Sequence, residues 1–508
     1  MVSSKKQLRL GTILSYISIA INIIAGLIYT PWMIDKIGQG QYGLYTLANS
    51  LIALFLVDFG LSTATSRFVA KYHAEGDEEK VNRFLGAVYK LYLIIDAIIF
   101  IALFVIFLLI DVIYANLTPV EIDQFKVVYI ISASFAVVNF PFVTFNGILN
   151  AYEKFIPLKL ADIIYRVLLV GSTVVALLLG QGLYALVALH AVVGLVLIIY
   201  KFIAIKRTTP VKANFRVPER SLYKTIFSFS IWATVASLAQ RLIFNITPTI
   251  LGIAITENTS AVIAVFGVVV TIEGYSYLIT GAINGMFMTR ISRQLTGESD
   301  SSQLTPLLLK VGKFQYAING LIVSGFAVIG KLFINLWMGP EFSEAYLGIL
   351  LVLIPGIFYN SLQIANTTLV VTNNVKLQAI VNAIMGLVNV ALSLLLSYLF
   401  GVVGACLSIF VAYMIRAVIL NVIYYKKLHF DIPKFIRECY IRMSIPIVLT
   451  IAMSLGINFF LPDTESWILL VLKALIVFVV YVTTMLVFGF DKSEKQSIIN
   501  KITKRKSK

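Results

Sequence analysis

Apolar runs of about twenty residues recur along the chain, separated by short polar stretches, and this alternation predicts a bundle of membrane-crossing helices. A helix rising 1.5 Å per residue crosses a hydrocarbon core of about 30 Å in about 20 residues. Roughly fourteen such runs can be drawn, at 11–34, 42–65, 85–110, 126–150, 160–180, 183–205, 225–254, 261–289, 308–337, 346–371, 377–398, 401–425, 442–461 and 467–489. The reading is of an all-α polytopic membrane protein. An even number of spans puts both termini on one side.

The cations decide which side. Loops 66–84, 206–224 and 426–442 and the tail KITKRKSK are rich in Lys and Arg and fall on one face. The alternate loops carry Asp111, Glu121, Asp123, Glu257, Glu341, Glu344, Asp463 and Glu465. Basic loops stay inside, so both termini are expected in the cytoplasm of a multi-pass inner (plasma) membrane protein. The opening MVSSKKQLRL leads into an apolar run too long for a cleavable leader, so the first helix is expected to remain as an anchor.

The spans also repeat. Thr30-Pro31 is echoed 217 residues later by Thr247-Pro248, Lys159-Leu160 at the same distance by Lys376-Leu377, and Lys206-Arg207 by Lys426-Lys427 after 220. The matching offsets predict a duplicated six-helix unit. The expected organisation is an N-terminal lobe at 1–207, a cytoplasmic linker at 208–224, a second lobe at 225–427, and two added helices with a basic tail at 428–508. Units with an even number of helices repeat in parallel, and transporters place a substrate path between such repeats. Pro31, Pro141, Pro248 and Pro355 free backbone groups inside spans and permit kinks.

Composition agrees, since 59% of residues are hydrophobic and 13% charged. A soluble domain carries about 25% charged residues. The net charge of +16 lies in short inter-helical segments rather than on one folded face, so it reads as topology, not nucleic-acid binding. The run GQGQYG at Gly38–Gly43, with Asp58 further on, imitates a dinucleotide-binding fingerprint. That fingerprint needs a short strand before it, and an apolar span precedes it here. Cys406 and Cys439 fall in different surroundings and offer no disulfide framework, and His73, His190 and His429 have no metal-ligand spacing. His190, alone in an apolar span, reads as a hydrogen-bonded packing residue. Trp32, Trp232, Trp337 and Trp467 near span ends fit an interfacial belt. No catalytic residue, metal site, P-loop or cofactor motif is found.

The stretch YGLYTLANSLIALFLVDFGLSTATSRFVAKY resembles the polysaccharide-transport (Wzx-type) flippases, through Tyr42-Gly43, Asp58-Phe59-Gly60 and Arg67 leading into a basic loop. These flippases belong to the multidrug/oligosaccharidyl-lipid/polysaccharide (MOP) exporter superfamily. The resemblance implies a MATE-like fold of two six-helix lobes plus two C-terminal helices. It also implies a cargo of undecaprenyl-diphosphate-linked oligosaccharide, the repeat unit of an O-antigen, capsule or exopolysaccharide, moved to the outer leaflet by alternating access. The partners it implies are that lipid-linked glycan, membrane lipid and other polysaccharide-assembly proteins.

A charge inside a span costs a few kcal/mol and so marks a partner or a cavity. Helices one, two, seven and eight line the cavity in related transporters, which favours Asp58, Arg241 and Glu273. Arg241 is the expected ligand of the diphosphate or an acidic sugar, in the company of Asn22 and Asn245, with a salt bridge to Glu273 or Asp58 as the structural alternative. Asp58 and Glu273 are candidates for ion coupling or gating. Asn360 and Gln363, with Thr367, form a polar stripe for sugar hydroxyls or for helix-to-helix hydrogen bonds. Arg416 joins the substrate-binding candidates, and Asp162 with Arg166 is expected to be a structural i,i+4 pair. A drug/cation antiporter of the same superfamily and, less favourably, a polysaccharide polymerase are the alternatives. The first wants an acidic cavity, the second a sizeable outer loop.

Overall fold

The structure is a computed structural model, describing residues 4–215, 220–284, 291, 301–372, 374–460, 466–491 and 494–496. The described residues form helices and no strands. In lipid only a helix or a closed barrel satisfies its own backbone. In chain order the first helices are α1 (Ser4–Ile37), α2 (Gln39–Phe55), α3 (Leu61–Ala74), α4 (Glu78–Ile113), α5 (Pro119–Asn139), α6 (Thr144–Ala151), α7 (Phe155–Leu178) and α8 (Leu183–Thr208). After them come α9 (Arg220–Phe244), α10 (Thr247–Ala254), α11 (Thr259–Asn284), α12 (Thr305–Met338), α13 (Ala345–Asn360), α14 (Gln363–Val371), α15 (Val375–Leu428), α16 (Arg442–Phe460) and α17 (Trp467–Thr484).

Ten helices among the described residues are long and apolar enough to cross a membrane, or eleven if the bent pair α13 and α14 counts as one span. The expected fourteen is not reached by that measure, for local reasons. The expected second span is interrupted between α2 and α3, and the seventh between α9 and α10. The expected eleventh and twelfth run together as α15, whose 54 residues contain a non-helical Gly401 at φ 58° and ψ −135°. At 1.5 Å per residue, α15 would be more than twice the length a bilayer needs. The long helices face their surroundings with apolar side chains: on α4, Ile98, Leu108 and Val112 are 62%, 61% and 74% exposed. This is a multi-pass membrane protein.

The chain divides into two compact units, Met1–Gly267 with Asn382–Gly401, and Val268–Val381 with Val402–Lys508. In the first, α1 packs on α7, α2 on α5 and α8, and α3 on α6. Gly43 permits one close approach there, since a Cβ at that position would lie 1.8 Å from the Ser260 carbonyl oxygen. Gly38 makes the turn between α1 and α2, at φ 88°. Gly43 serves packing instead.

In the second unit, α12 packs against α13 and against both C-terminal helices, α16 and α17. Lys313 of α12 fastens this arrangement. It is 5% exposed and meets Glu494 at 2.9 Å, Glu438 at 3.4 Å and Asp491 at 3.6 Å. Arg442 adds a second ion pair to Asp491. Breaking a fully buried pair costs about 3–5 kcal/mol, but these acids are 24–43% exposed and water screens them. Lys313→Met should therefore lower stability by about 1–3 kcal/mol in thermal unfolding of the purified protein. Asp491 lies beyond the last span. The hydrogen bond from Arg442, with the charges of Arg442 and Lys313, holds its carboxyl below the usual carboxylate range. A lowered folded-state pKa contributes stability that is present above the ordinary carboxylate value and disappears as pH falls through the folded value. Asp491→Asn should thus be destabilising at neutral pH and match the wild type once the pH has fallen below the folded-state value of Asp491, whereas an equal gap at both would exclude an electrostatic role.

Candidate functional site

The interruption of the second span places its polar residues. After Phe55 the chain leaves the helix, with Phe59 at φ 53° and Gly60 at φ 68° before α3 begins. A glycine adopts that left-handed conformation without strain, which Phe59 does not. Such a break leaves carbonyls at the end of α2 and N–H groups at the start of α3 without helical partners. In an apolar medium each needs another.

Two charged side chains supply them. Arg241, near the end of α9, donates from Nη2 to the Leu56 carbonyl at 2.9 Å and from Nη1 to the Ala53 carbonyl. Asp58 accepts the Gly60 N–H at 2.5 Å and also draws on the N–H groups of Leu61 and Ser62. A cation thus sits at the carbonyl end of one helix and an anion at the N–H end of the next, the arrangement the helix dipole favours. The two charges attract one another. They do not pair directly, and each is spent on backbone to one side of the break.

The end of α9 is held in the same manner. Asn389, fully buried on α15, donates to the carbonyls of Leu242 at 3.2 Å and Ile243 at 3.3 Å. Nothing in the local sequence marks Asn389; only the fold brings it to this helix end. Asn245 lies in the interruption itself, its N–H donating to the Arg241 carbonyl at 2.9 Å.

The other candidates of the first unit separate. Asp162 takes its ion pair from Lys159 at 3.2 Å rather than from Arg166. Arg166 instead reaches α1, where Nη2 donates to the Asn22 carbonyl at 3.1 Å. The expected Asp162–Arg166 pair is therefore corrected: a neighbour three residues away is as close along the helix as one four away, and Arg166 turns toward an acceptor on another helix. Asn22 contributes its backbone there. His190 meets the Tyr45 hydroxyl at 2.9 Å, as a hydrogen-bonded packing residue should.

In the second unit α13 and α14 meet at a bend of 56°. Asn360 ends α13 and Gln363 begins α14, so with Thr367 they do not continue one helical face, and the expected stripe is broken by the bend. Asn360 donates to Asn319 at 3.3 Å, and Thr367 donates to the Gln363 carbonyl at 2.8 Å. Tyr359 spans the bend, its hydroxyl accepting from Asn366 at 3.2 Å, while Asn366 accepts from Tyr424 at 3.0 Å. Arg416 covers the Tyr359 ring, 4.2 Å from its centroid, and lies 5.3 Å from that of Tyr413. Glu273 of α11 has no hydrogen-bond or ion-pair partner among the described residues. An apolar groove of about 510 Å³ lies between α15 and the following segment, with Phe358, Val418, Val422, Tyr425 and Ile436 among its walls.

Residues 8–288, more than half of the chain, match the family model of the polysaccharide biosynthesis proteins. The chain belongs to that family. Its fold is that of MOP superfamily proteins. The lipid II flippase MurJ in an inward closed conformation is 15% identical over 94% of this chain and 98% of its own, with a TM-score of 0.70. An inward-facing multidrug resistance MATE transporter is 14% identical over 85% of this chain and 99% of its own, at 0.66. A MOP superfamily transporter from Pyrococcus furiosus, described as having a binding pocket of reverse polarity, is 14% identical over 82% and 94%, at 0.61. Identities this low show likeness of fold. No curated protein sequence matches the chain.

Arg241→Ala should leave two carbonyls unpaired at membrane depth, at about 1–3 kcal/mol each, and lower the unfolding temperature of the purified protein. Asp58→Asn keeps an oxygen for the Gly60 N–H and should stay within about 1 kcal/mol of wild type, while Asp58→Leu should not. An Asn variant as unstable as the Leu variant would show that the charge, not the turn, is what the site needs.

Proposed function

We propose that the protein is a flippase for undecaprenyl-diphosphate-linked oligosaccharide, moving a glycan repeat unit from the cytoplasmic to the outer leaflet. The observation that carries this reading is the match to the polysaccharide biosynthesis family in a chain that has the MurJ fold over nearly its whole length. A polytopic member of that family with no recognisable catalytic motif is suited to moving a lipid-linked intermediate rather than making one. Arginines at membrane depth suit an anionic cargo, because a guanidinium keeps its charge there. The apolar groove of the second unit suits an isoprenoid chain.

In this reading the chain lies in the plasma membrane with both termini in the cytoplasm, and 1–207 and 225–427 act as the two lobes of an alternating-access cycle. Arg241, Asn22, Asn245, Asn360, Gln363 and Arg416 contribute to cargo recognition, and Asp58 and Glu273 to gating or ion coupling. The cycle requires the α13–α14 bend to change angle, since a short interruption absorbs a turn that a continuous helix resists.

Deleting the gene should make lipid-linked oligosaccharide accumulate on the cytoplasmic leaflet, scored by its accessibility to an added glycosidase in sealed inside-out vesicles. Single repeat units stranded on the outer face would instead identify a polymerase and sink the proposal. If Glu273 couples transport to an ion gradient, uptake by reconstituted vesicles should lose its gradient dependence in Glu273→Gln.

A further inference from the structure

Arg416 differs from Arg241 in one respect. The Arg241 guanidinium is committed to two carbonyls. Arg416 is 1% exposed, and its Nε and Nη1 groups are buried with no hydrogen-bond partner. No carboxylate pairs with it among the described residues. Tyr277 lies within electrostatic reach of both Arg416 and Glu273, yet these two opposite charges form no ion pair.

A guanidinium cannot shed its proton, so burial leaves it charged and in need of an acceptor. The faces of Tyr359 and Tyr413 compensate part of the charge through their ring quadrupoles. Ring faces do little for N–H groups directed in the guanidinium plane, and an unpaired buried donor keeps its desolvation cost. A planar or tetrahedral oxyanion is the acceptor that a guanidinium fork matches best.

We infer that Arg416 is an occluded oxyanion site, its guanidinium stored against Tyr359 and Tyr413 until an anion of the cargo takes it up. The inference rests on the flippase reading for the source of that anion, a diphosphate or the carboxylate of an acidic sugar. Entry requires the Tyr359 ring to swing away. Tyr359 is the last but one residue of α13, and its hydroxyl is bonded across the bend to Asn366 of α14. Moving the ring breaks that bond, so occupying the site loosens the bend. Binding and a change of helix geometry are thereby coupled through one side chain.

The test uses the full-length protein in nanodiscs, titrated calorimetrically with inorganic pyrophosphate and, separately, with glucuronate. Wild-type protein should bind at least one, and which one binds tells a diphosphate source from an acidic sugar. Arg416→Met should weaken that binding by at least about tenfold, with Arg416→Lys in between, since an ammonium keeps the charge and loses the fork. Tyr359→Leu, which uncovers the guanidinium, should bind more tightly than wild type. Wild-type protein that binds neither probe, or an Arg416→Met or Arg416→Lys variant that binds as wild type does, overturns the site. Tyr359→Leu that binds no tighter overturns the storage role of the ring. Binding is read without translocation, so a protein that binds pyrophosphate and flips no lipid-linked glycan would refute the function while leaving the site standing.

Discussion

A helix that stops inside a membrane must still find partners for its last carbonyls and its next N–H groups, because no water is there to take them. This chain breaks its second span between Phe55 and Leu61 and meets the demand with two opposite charges. Arg241 takes the carbonyl end and Asp58 the N–H end. Neither charge would be tolerable at that depth without the break, and the break would be costly without the hydrogen bonds these side chains make. Because Arg241 lies three residues before the end of α9, the same contact joins the interruption of the second span to the end of the seventh. Asn389, from a third helix, completes the carbonyls there.

The bend between α13 and α14 is held by softer means. Tyr359 crosses it by one hydrogen bond to Asn366, and α15 supports both residues, Arg416 lying on the ring and Tyr424 bonding the amide. Stacking tolerates sliding and rotation in a way that hydrogen bonds to carbonyls do not, since it depends less steeply on angle. The α2–α3 break is thus a fixed joint and the α13–α14 bend an adjustable one. The difference comes from the groups that hold them rather than from the sequence at the break.

Much of the architecture was legible beforehand. Runs of apolar residues marked nearly every long helix, because in lipid the requirement is only that a segment of the right length be apolar. The interruptions were less visible, since Asp58-Phe59-Gly60 and Asn360-Ser361-Leu362 sit within otherwise apolar runs and change hydropathy little. Arg241, Asp58 and Arg416 stand out in the sequence as charges within apolar spans, each of which needs a reason to be there. What spacing along one helix could not show was the partner. Asp58 is one of the two salt-bridge partners the sequence offers Arg241, and in the fold each of these side chains bonds to one side of the backbone break. Asp162 and Arg166 have the right interval for a pair, yet Arg166 finds the Asn22 carbonyl on α1. Intervals within a helix are set by its period, whereas these partners are set by how helices pack.

The opening stretch shows how a wrong chemistry can be read from the right residues. Gly38 and Gly43 look like a phosphate-binding loop, and Asp58 like a ribose ligand. In the fold, Gly38 turns the chain between two membrane helices, and Gly43 lets α2 approach the Ser260 backbone more closely than any side chain would permit. Glycine is required in both settings for one reason, the absence of a Cβ, so its presence alone cannot tell a nucleotide loop from a helix contact. The surrounding hydropathy can. A short strand before the glycines calls for phosphate, and a twenty-residue apolar run before them calls for a bilayer. Asp58 then follows from the second setting: an acid at that depth has to hold hydrogen bonds, and the start of α3 offers them.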